Sequence, residues 1–327
     1  MQWDLGAWEE DIRRASERIA PFVERSPVVR SWRMSRQLGY PVWWKCDQFQ
    51  ASGAFKMRGA ANALLSRPEA ERVQGAITYS TGNHGLAVAY ICRDLGIPAV
   101  ICVSKLVPNA KVEALRRSGA RVMVEGESQD EAKKVAERLA DEEGLILIPP
   151  FDDSAVIAGQ GTLGREILEQ VPEVKTVLVP LSGGGLAAGV ALALKARNQG
   201  IRVVGISMDQ GAAMYESLRL GAPREVQEVR SLADSLQGGI GLDNRWTFPL
   251  VQTFLDEVVL VSEAAIRDAM RWLMEEGLMV EGAAAVGPAW LLASPRPSLE
   301  GPIVGILTGR NLAVEDFFLA VGGEKVE

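Results

Sequence analysis

Three short segments of this 327-residue chain hold side chains that could do chemistry, each where an apolar run gives way to a helical pattern. The first is Ser182-Gly183-Gly184-Gly185-Leu186, which follows the apolar run Val174 to Leu181. Glycines let an anion reach the backbone, and a helix starting there adds unpaired N–H donors and a positive dipole end, so a phosphate group would sit well. The segment is neither a Walker loop nor the dinucleotide fingerprint, and a tight glycine turn without a ligand reads the same way. The second is Ser52 to Ala60, SGAFKMRGA, in which Lys56 has small and apolar neighbours. Partial desolvation would lower its pKa and free the amine to form a Schiff base with an aldehyde, although a lysine opening a helix is commonly a solvated charge. The third is Ser80-Thr81-Gly82-Asn83-His84-Gly85, ahead of a helix running to about Leu95. It offers backbone N–H groups to a carboxylate and an amide to a ring substituent, or simply caps its helix.

One amine, one anion cradle and one carboxylate-or-amide loop are what an aldehyde cofactor carrying a phosphate requires, with an amino-acid substrate beside it, and pyridoxal 5'-phosphate fits. The elements that must position these groups are apolar runs at Val42 to Cys46, Gly75 to Tyr79, Ala99 to Val103, Arg121 to Val124, Val174 to Leu181, Val203 to Ser207, Val258 to Val261 and Ile303 to Leu307. Their alternation with helical patterns predicts an α/β fold of parallel sheets covered on both faces, with ligands at the strand-to-helix loops. Ser128 and Glu131 predict a capping box before a helix to about Asp141, and Ser262 predicts a helix ended by Gly277. Pro149 and Pro150 mark a plausible domain edge between a middle group of strands and those after residue 174.

Composition narrows the partners. Forty-two acidic against thirty-five basic side chains leave a net charge of -7, which disfavours nucleic acid and anionic lipid and favours a small molecule. The uncharged stretch Val177 to Leu194 contains Pro180 and three consecutive glycines, so it predicts a strand, a loop and a helix rather than a membrane span. Cys46, Cys92 and Cys102 lack metal-ligand spacing and are odd in number, which points to a reducing cytoplasm. His84 is the only histidine, so any Ser-His-Asp triad or multi-histidine metal site would have to run through it.

At SGAFKMRGA (52 to 60), STGNHG (80 to 85), SGGGLAAG (182 to 189), VEGAAAVG (280 to 287) and LTGRN (307 to 311) the chain resembles the fold-type II pyridoxal-phosphate enzymes of the threonine dehydratase and serine racemase group. The resemblance implies two parallel-sheet domains of the tryptophan synthase β-like kind, with the cofactor in the cleft between them. The large domain would span 1–65 and 153–327, and the small one 66–152. It implies that Lys56 carries the cofactor, that Phe55 packs on its ring and that Asn83 contacts the ring hydroxyl. Ser182, Gly183, Gly184, Gly185 and Leu186 would hold the phosphate, and Thr308 would meet the pyridine nitrogen. Ser80, Thr81, Gly82, Asn83 and His84 would bind the substrate carboxylate through their backbone, and a homodimer is the usual assembly. DSLQGGIGLDN (234 to 244), SMDQGAAMYESL (207 to 218) and TGRN look most like the hydroxyectoine-utilisation dehydratase branch.

Departures from the family pattern also carry meaning. Ser207, Gly211 and Ala213 stand where relatives place acidic cation ligands, so no metal is expected. Racemases use a serine as the acid/base on the opposite cofactor face, where this chain has Thr81, so racemisation is the weaker alternative. Arg310 replaces a common glycine and could recognise a substrate anion or pair with a surface acid. No appended regulatory domain is expected after residue 327. The implied reaction is β-elimination of water from a 3-hydroxy amino acid such as threonine or serine, with Lys56 taking the Cα proton and Thr81 as a further catalytic group. A neutral Thr308 hydroxyl does not force the pyridine nitrogen to stay protonated, which favours prompt loss of the β-hydroxyl. A hydroxyectoine-derived or 3-hydroxyaspartate-like substrate, β-replacement, and a non-catalytic ligand-binding protein are the rival readings.

Overall fold

The computed structural model describes residues 3–80, 82–107, 109–293 and 299–322. Among the described residues ten strands form two sheets. In chain order they are β1 (Val28–Arg30), β2 (Val42–Cys46), β3 (Ala76–Thr78), β4 (Ala99–Val103), β5 (Arg121–Val124), β6 (Ile146–Leu147), β7 (Thr176–Pro180), β8 (Arg202–Met208), β9 (Glu257–Val261) and β10 (Ile303–Leu307). The larger sheet has the order β1-β2-β10-β7-β8-β9, and the smaller one β5-β4-β3-β6. All pairings are parallel except that of β1 with β2.

The expected α/β class follows from burial. β4, β7 and β10 are buried along their whole length, as a strand covered by helices on both faces must be. Alternate residues of β7 feed different cores: Val177 and Val179 pack with the helix Gly185–Arg197, whereas Leu178 packs with the helix Gly282–Leu292. The eight expected strands are all present, four with the expected ends and four with ends shifted by one or two residues. β1 and β6 escaped the sequence reading because three and two residues are too few to show a period of two.

Helix starts follow their side chains. Ser128 accepts from the Glu131 backbone N–H at 3.2 Å, but Glu131 reaches back to the N–H of Glu127, one residue earlier than a capping box requires. Ser262 likewise accepts from Ala265 N–H at 3.3 Å to open the helix Glu263–Glu275.

Parallel pairing brings the carboxyl ends of β2 and β10 level, with Cys46 opposite Leu307. The loops after β2, β7 and β10, together with the loop after β3 in the smaller sheet, lead into helices as a ligand-binding α/β topology demands. The helix Lys56–Leu65 joins the two bodies. Its Met57, Ala60, Ala61 and Leu64 enter a core with Val88 and Ile101 of the smaller sheet's layer, and Met57 and Leu64 each contribute roughly 1.5–3 kcal/mol by burial. Its other side packs on the helix Ser154–Gln170. Among the described residues no helix is long and apolar enough to cross a membrane.

Candidate active site

Lys56 is the first residue of its helix, and the chain reaches it through a turn that only glycine tolerates. Gly53 has φ +77°, and a Cβ there would lie 2.2 Å from Asn311 Oδ1. Phe55 N–H donates to Thr308 O at 2.9 Å and Ala54 bridges Gly309, so the lysine loop is stitched to the end of β10. Lys56 Nζ donates to the backbone carbonyl of Pro150 at 2.5 Å and lies 5.3 Å from the centre of the Phe55 ring. Burial without a carboxylate partner lowers its pKa to about 8. A carbonyl accepts from an amine without compensating a positive charge, so the neutral form gains ground.

The glycine loop lies at the end of β7. Gly184, at φ +88°, precedes the helix Gly185–Arg197, whose first turn has no side-chain cap, so its N–H groups remain donors to an anion. The structure adds a second reason for glycine beside the one read in sequence. A Cβ on Gly183 would lie 2.3 Å from the Phe151 ring, and one on Gly184 2.8 Å from Met214 Cε. The glycines are therefore demanded by the packing behind the loop and, at Gly184, by its positive φ. Leu186 is buried in the core beneath.

Asn83 opens the helix Asn83–Leu95 with its amide held at both ends. Nδ2 donates to Glu281 Oε1 at 2.8 Å and, more weakly, to Ser235 Oγ at 3.4 Å, while Oδ1 accepts from Asn311 Nδ2 at 2.6 Å. Glu281 Oε2 accepts the Asn311 backbone N–H at 3.1 Å. Burial and the nearby Asp234 carboxylate push the pKa of Glu281 up to about 7, against the pull of its hydrogen bonds. Next in the chain, His84 is buried, with Nε2 3.0 Å from Ile148 O. That contact needs Nε2 to carry hydrogen, and Nδ1 has no partner. Burial, helped by the positive charge of Lys56, lowers its pKa to about 3. Its ring is a neutral structural element; only its backbone belongs to the loop.

Of the other expected residues, Gly82 faces open space, since a Cβ there would meet nothing within 4 Å. Ser80 is half-buried and Thr308 buried. Thr81 lies outside the described residues.

Lys56 donates to Pro150 O and the next residue, Phe151, packs on the glycine loop, so an amine with a lowered pKa and an uncapped glycine loop meet on one segment. Together they are a donor set for a phosphorylated aldehyde, and the pyridoxal-phosphate dependent enzyme family matches residues 19–309. The chain belongs to that family. Its cofactor is pyridoxal 5'-phosphate. This pyridoxal-phosphate dependent enzyme is 48% identical over 304 residues to a putative threonine dehydratase of Sinorhizobium fredii, covering 93% of this chain and 92% of the relative. An L-threonine ammonia-lyase of Geobacter sulfurreducens is 38% identical over 314 residues, 95% of this chain and 77% of the relative. The solved structure of maize serine racemase is similar with a TM-score of 0.89 at 35% identity, covering 96% of each chain.

Four contributors to the site received no role from the sequence. The carbonyl of Pro150 holds Lys56, where the sequence suggested only a domain edge. Phe151 backs the glycine loop. Glu281 and Asn311 stand inside the quoted VEGAAAVG and LTGRN segments, and the signal that marks them is polarity within otherwise small and apolar runs. Arg310 has its guanidinium 5.7 Å from the centre of the Phe49 ring. Among the described residues no three His, Cys, Asp or Glu side chains gather as metal ligands.

Proposed function

We propose that this enzyme is a dehydratase of the ammonia-lyase type, which removes water from a 3-hydroxy amino acid such as threonine or serine and releases a 2-oxo acid and ammonia. The observation that carries this is Lys56, an amine lowered to about 8 and held by one carbonyl, in a chain so similar to threonine dehydratases. Bound pyridoxal phosphate supplies an electron sink that makes the substrate's Cα proton removable.

The protein's own groups do the rest. Lys56 anchors the cofactor and, as a free amine, takes the Cα proton, a task suited to a base whose pKa lies near the working pH. Phe55 packs on the cofactor ring, Asn83 meets the ring hydroxyl and Thr308 the pyridine nitrogen. Ser182 to Leu186 hold the phosphate on the uncapped helix start. The backbone of Ser80 to His84 takes the substrate carboxylate, with Thr81 as the further catalytic group on this loop. The neutral His84 ring leaves proton transfer to the other groups.

The narrower substrate we propose is a hydroxyectoine-derived 3-hydroxy amino acid. What supports this reading is the resemblance of DSLQGGIGLDN, SMDQGAAMYESL and TGRN to that branch, and Ser235 of the first segment contacts Asn83, so the segment borders the proposed cofactor-facing amide. We further propose the boundaries 1–65 with 153–327 for the large domain and 66–152 for the small one, a homodimer, and a cytoplasmic location in keeping with three free, buried cysteines.

The test is a panel of threonine, serine, 3-hydroxyaspartate and a hydroxyectoine-derived acid incubated with cofactor-loaded protein. Release of 2-oxo acid and ammonia in equal amounts, without added thiol, supports elimination. Racemised substrate with no keto acid sinks it, as does activity that survives Lys56→Ala.

A further inference from the structure

Glu281 is the residue before the helix Gly282–Leu292, yet its side chain does not cap that helix. At 2% exposure it is turned instead toward Asn83 and Asn311. The resulting ring of hydrogen bonds ties four segments together, because Asn311 Nδ2 also donates to Ser52 O at 2.8 Å, just ahead of the lysine. One hydrogen of Asn83 Nδ2 is committed to Glu281, and the other has only the long 3.4 Å contact with Ser235 Oγ.

We propose that Glu281 is a positioning residue: its buried carboxylate turns the Asn83 amide so that the loosely held Nδ2 hydrogen is presented to the cofactor's ring oxygen. This rests on the assignment of Asn83 made above. An ionised carboxylate can only accept, which obliges Asn83 to show it nitrogen, whereas a protonated one can donate to Oδ1 and let the amide turn over. The charged group facing Glu281 is Asp234, from the turn Asp234–Leu236, and its repulsion joins burial in bringing Glu281 to about 7. The surrounding elements add Asn83, Ser235 and Asn311, all neutral; Glu263 is bound to Ser231 and Leu232, and Arg310 lies over Phe49.

Titration of the apoprotein with pyridoxal 5'-phosphate, followed through the absorbance of lysine-bound cofactor, tests this. Glu281→Gln keeps the shape but replaces one acceptor oxygen with a donor. The expected result is about tenfold weaker cofactor binding, a shifted band maximum, and loss of a pH-dependent step that wild type shows near 7. On an Asn83→Ala background the same substitution should add less than about twofold. Unchanged affinity, maximum and pH response in folded Glu281→Gln overturns the proposal, and so do additive effects in the double variant. Should that variant fail to fold by thermal melting of the apoprotein, Asn83→Ala decides: a wild-type step near pH 7 that is lost in Asn83→Ala supports the proposal, and a step that survives there, or a wild-type band constant from about pH 6 to about 8.5, overturns it. Lys56→Ala separates the two levels, since a band that persists there removes the lysine assignment and says nothing against Glu281.

Discussion

Arg58, two residues after the lysine, is fully buried and binds Asp47, also fully buried, through Nε at 2.9 Å and Nη2 at 2.8 Å. Its Nη1 donates to Glu166 Oε1 at 2.6 Å, and Lys45 Nζ donates to Glu166 Oε2 at 2.5 Å, so two cations balance two carboxylates. Arg58→Met keeps the apolar stem and removes the charge. Asp47 would then lose a bidentate partner while keeping Gln50 Nε2 at 3.2 Å. Breaking a buried pair by removing one member costs about 3–5 kcal/mol, and nothing in the geometry places Arg58 at the low end. Burial alone would raise the Asp47 pKa, but the charge and hydrogen bonds of Arg58 prevail and hold it below its ordinary value. That depressed carboxyl stabilises the fold above the unfolded pKa of about 3.9, a contribution lost as pH falls through the folded pKa. The difference between wild type and variant should therefore be full near pH 7 and shrink below about pH 4. Urea unfolding of the apoprotein, read by the fluorescence of its eight tryptophans, should show the midpoint lowered by about 1 M for an m-value of roughly 3–4 kcal/mol/M. Arg58→Met combined with Asp47→Leu leaves Lys45 and Glu166 as a balanced pair and should recover more than half of the loss. A single-variant cost under about 1 kcal/mol, or a double variant that costs the sum of the two singles, would refute this account of the cluster.

Three further outcomes are expected. Because the Lys56 amine is lowered to about 8, the rate at which apoprotein takes up pyridoxal phosphate should rise with pH and reach half its limit near 8; a midpoint near 10.5 would show a solvated lysine. His84 is the sole histidine, so its ring protons in an NMR spectrum need no assignment, and they should not titrate between about pH 5 and 8; stability should fall as pH drops below the unfolded value of about 6.5 toward the folded value of about 3. Gly53→Ala forces a side chain into the left-handed region at a cost of about 1–2 kcal/mol and drives Asn311 off Asn83; weaker cofactor retention with a lowered melting temperature is expected, and an unperturbed variant would show that the turn can relax.

Much of the site was legible because its chemistry is local. A lysine among small neighbours, a glycine run after an apolar strand and an Asn-His pair at a helix start are each readable within ten residues. Burial then modified what they meant. The glycines at 183 and 184 answer to Phe151 and Met214 as well as to the anion expected from sequence, and no local pattern announces a ring from residue 151 beneath a loop at 183. By sequence His84 is only the single histidine and backbone of its loop, and the partner of its ring, the carbonyl of Ile148, lies 64 positions away. β1 and β6 were invisible because an edge of two or three residues is held by its neighbour's pairing and has no periodicity of its own.

By itself, the order of residues determined the alternation of strands and helices, and hence which loops fall at strand ends, since apolar period and capping side chains act over a few neighbours. What only the tertiary structure decided are the partners of the charges. Glu281 meets Asn83 across 198 positions, Arg58 meets Glu166 across 108, and Lys56 finds Pro150 O across 94. Such pairings depend on sheet register and on how the two sheets' layers meet. An ionisable group takes its protonation state from the field and desolvation at its final position, which sequence neighbours do not specify.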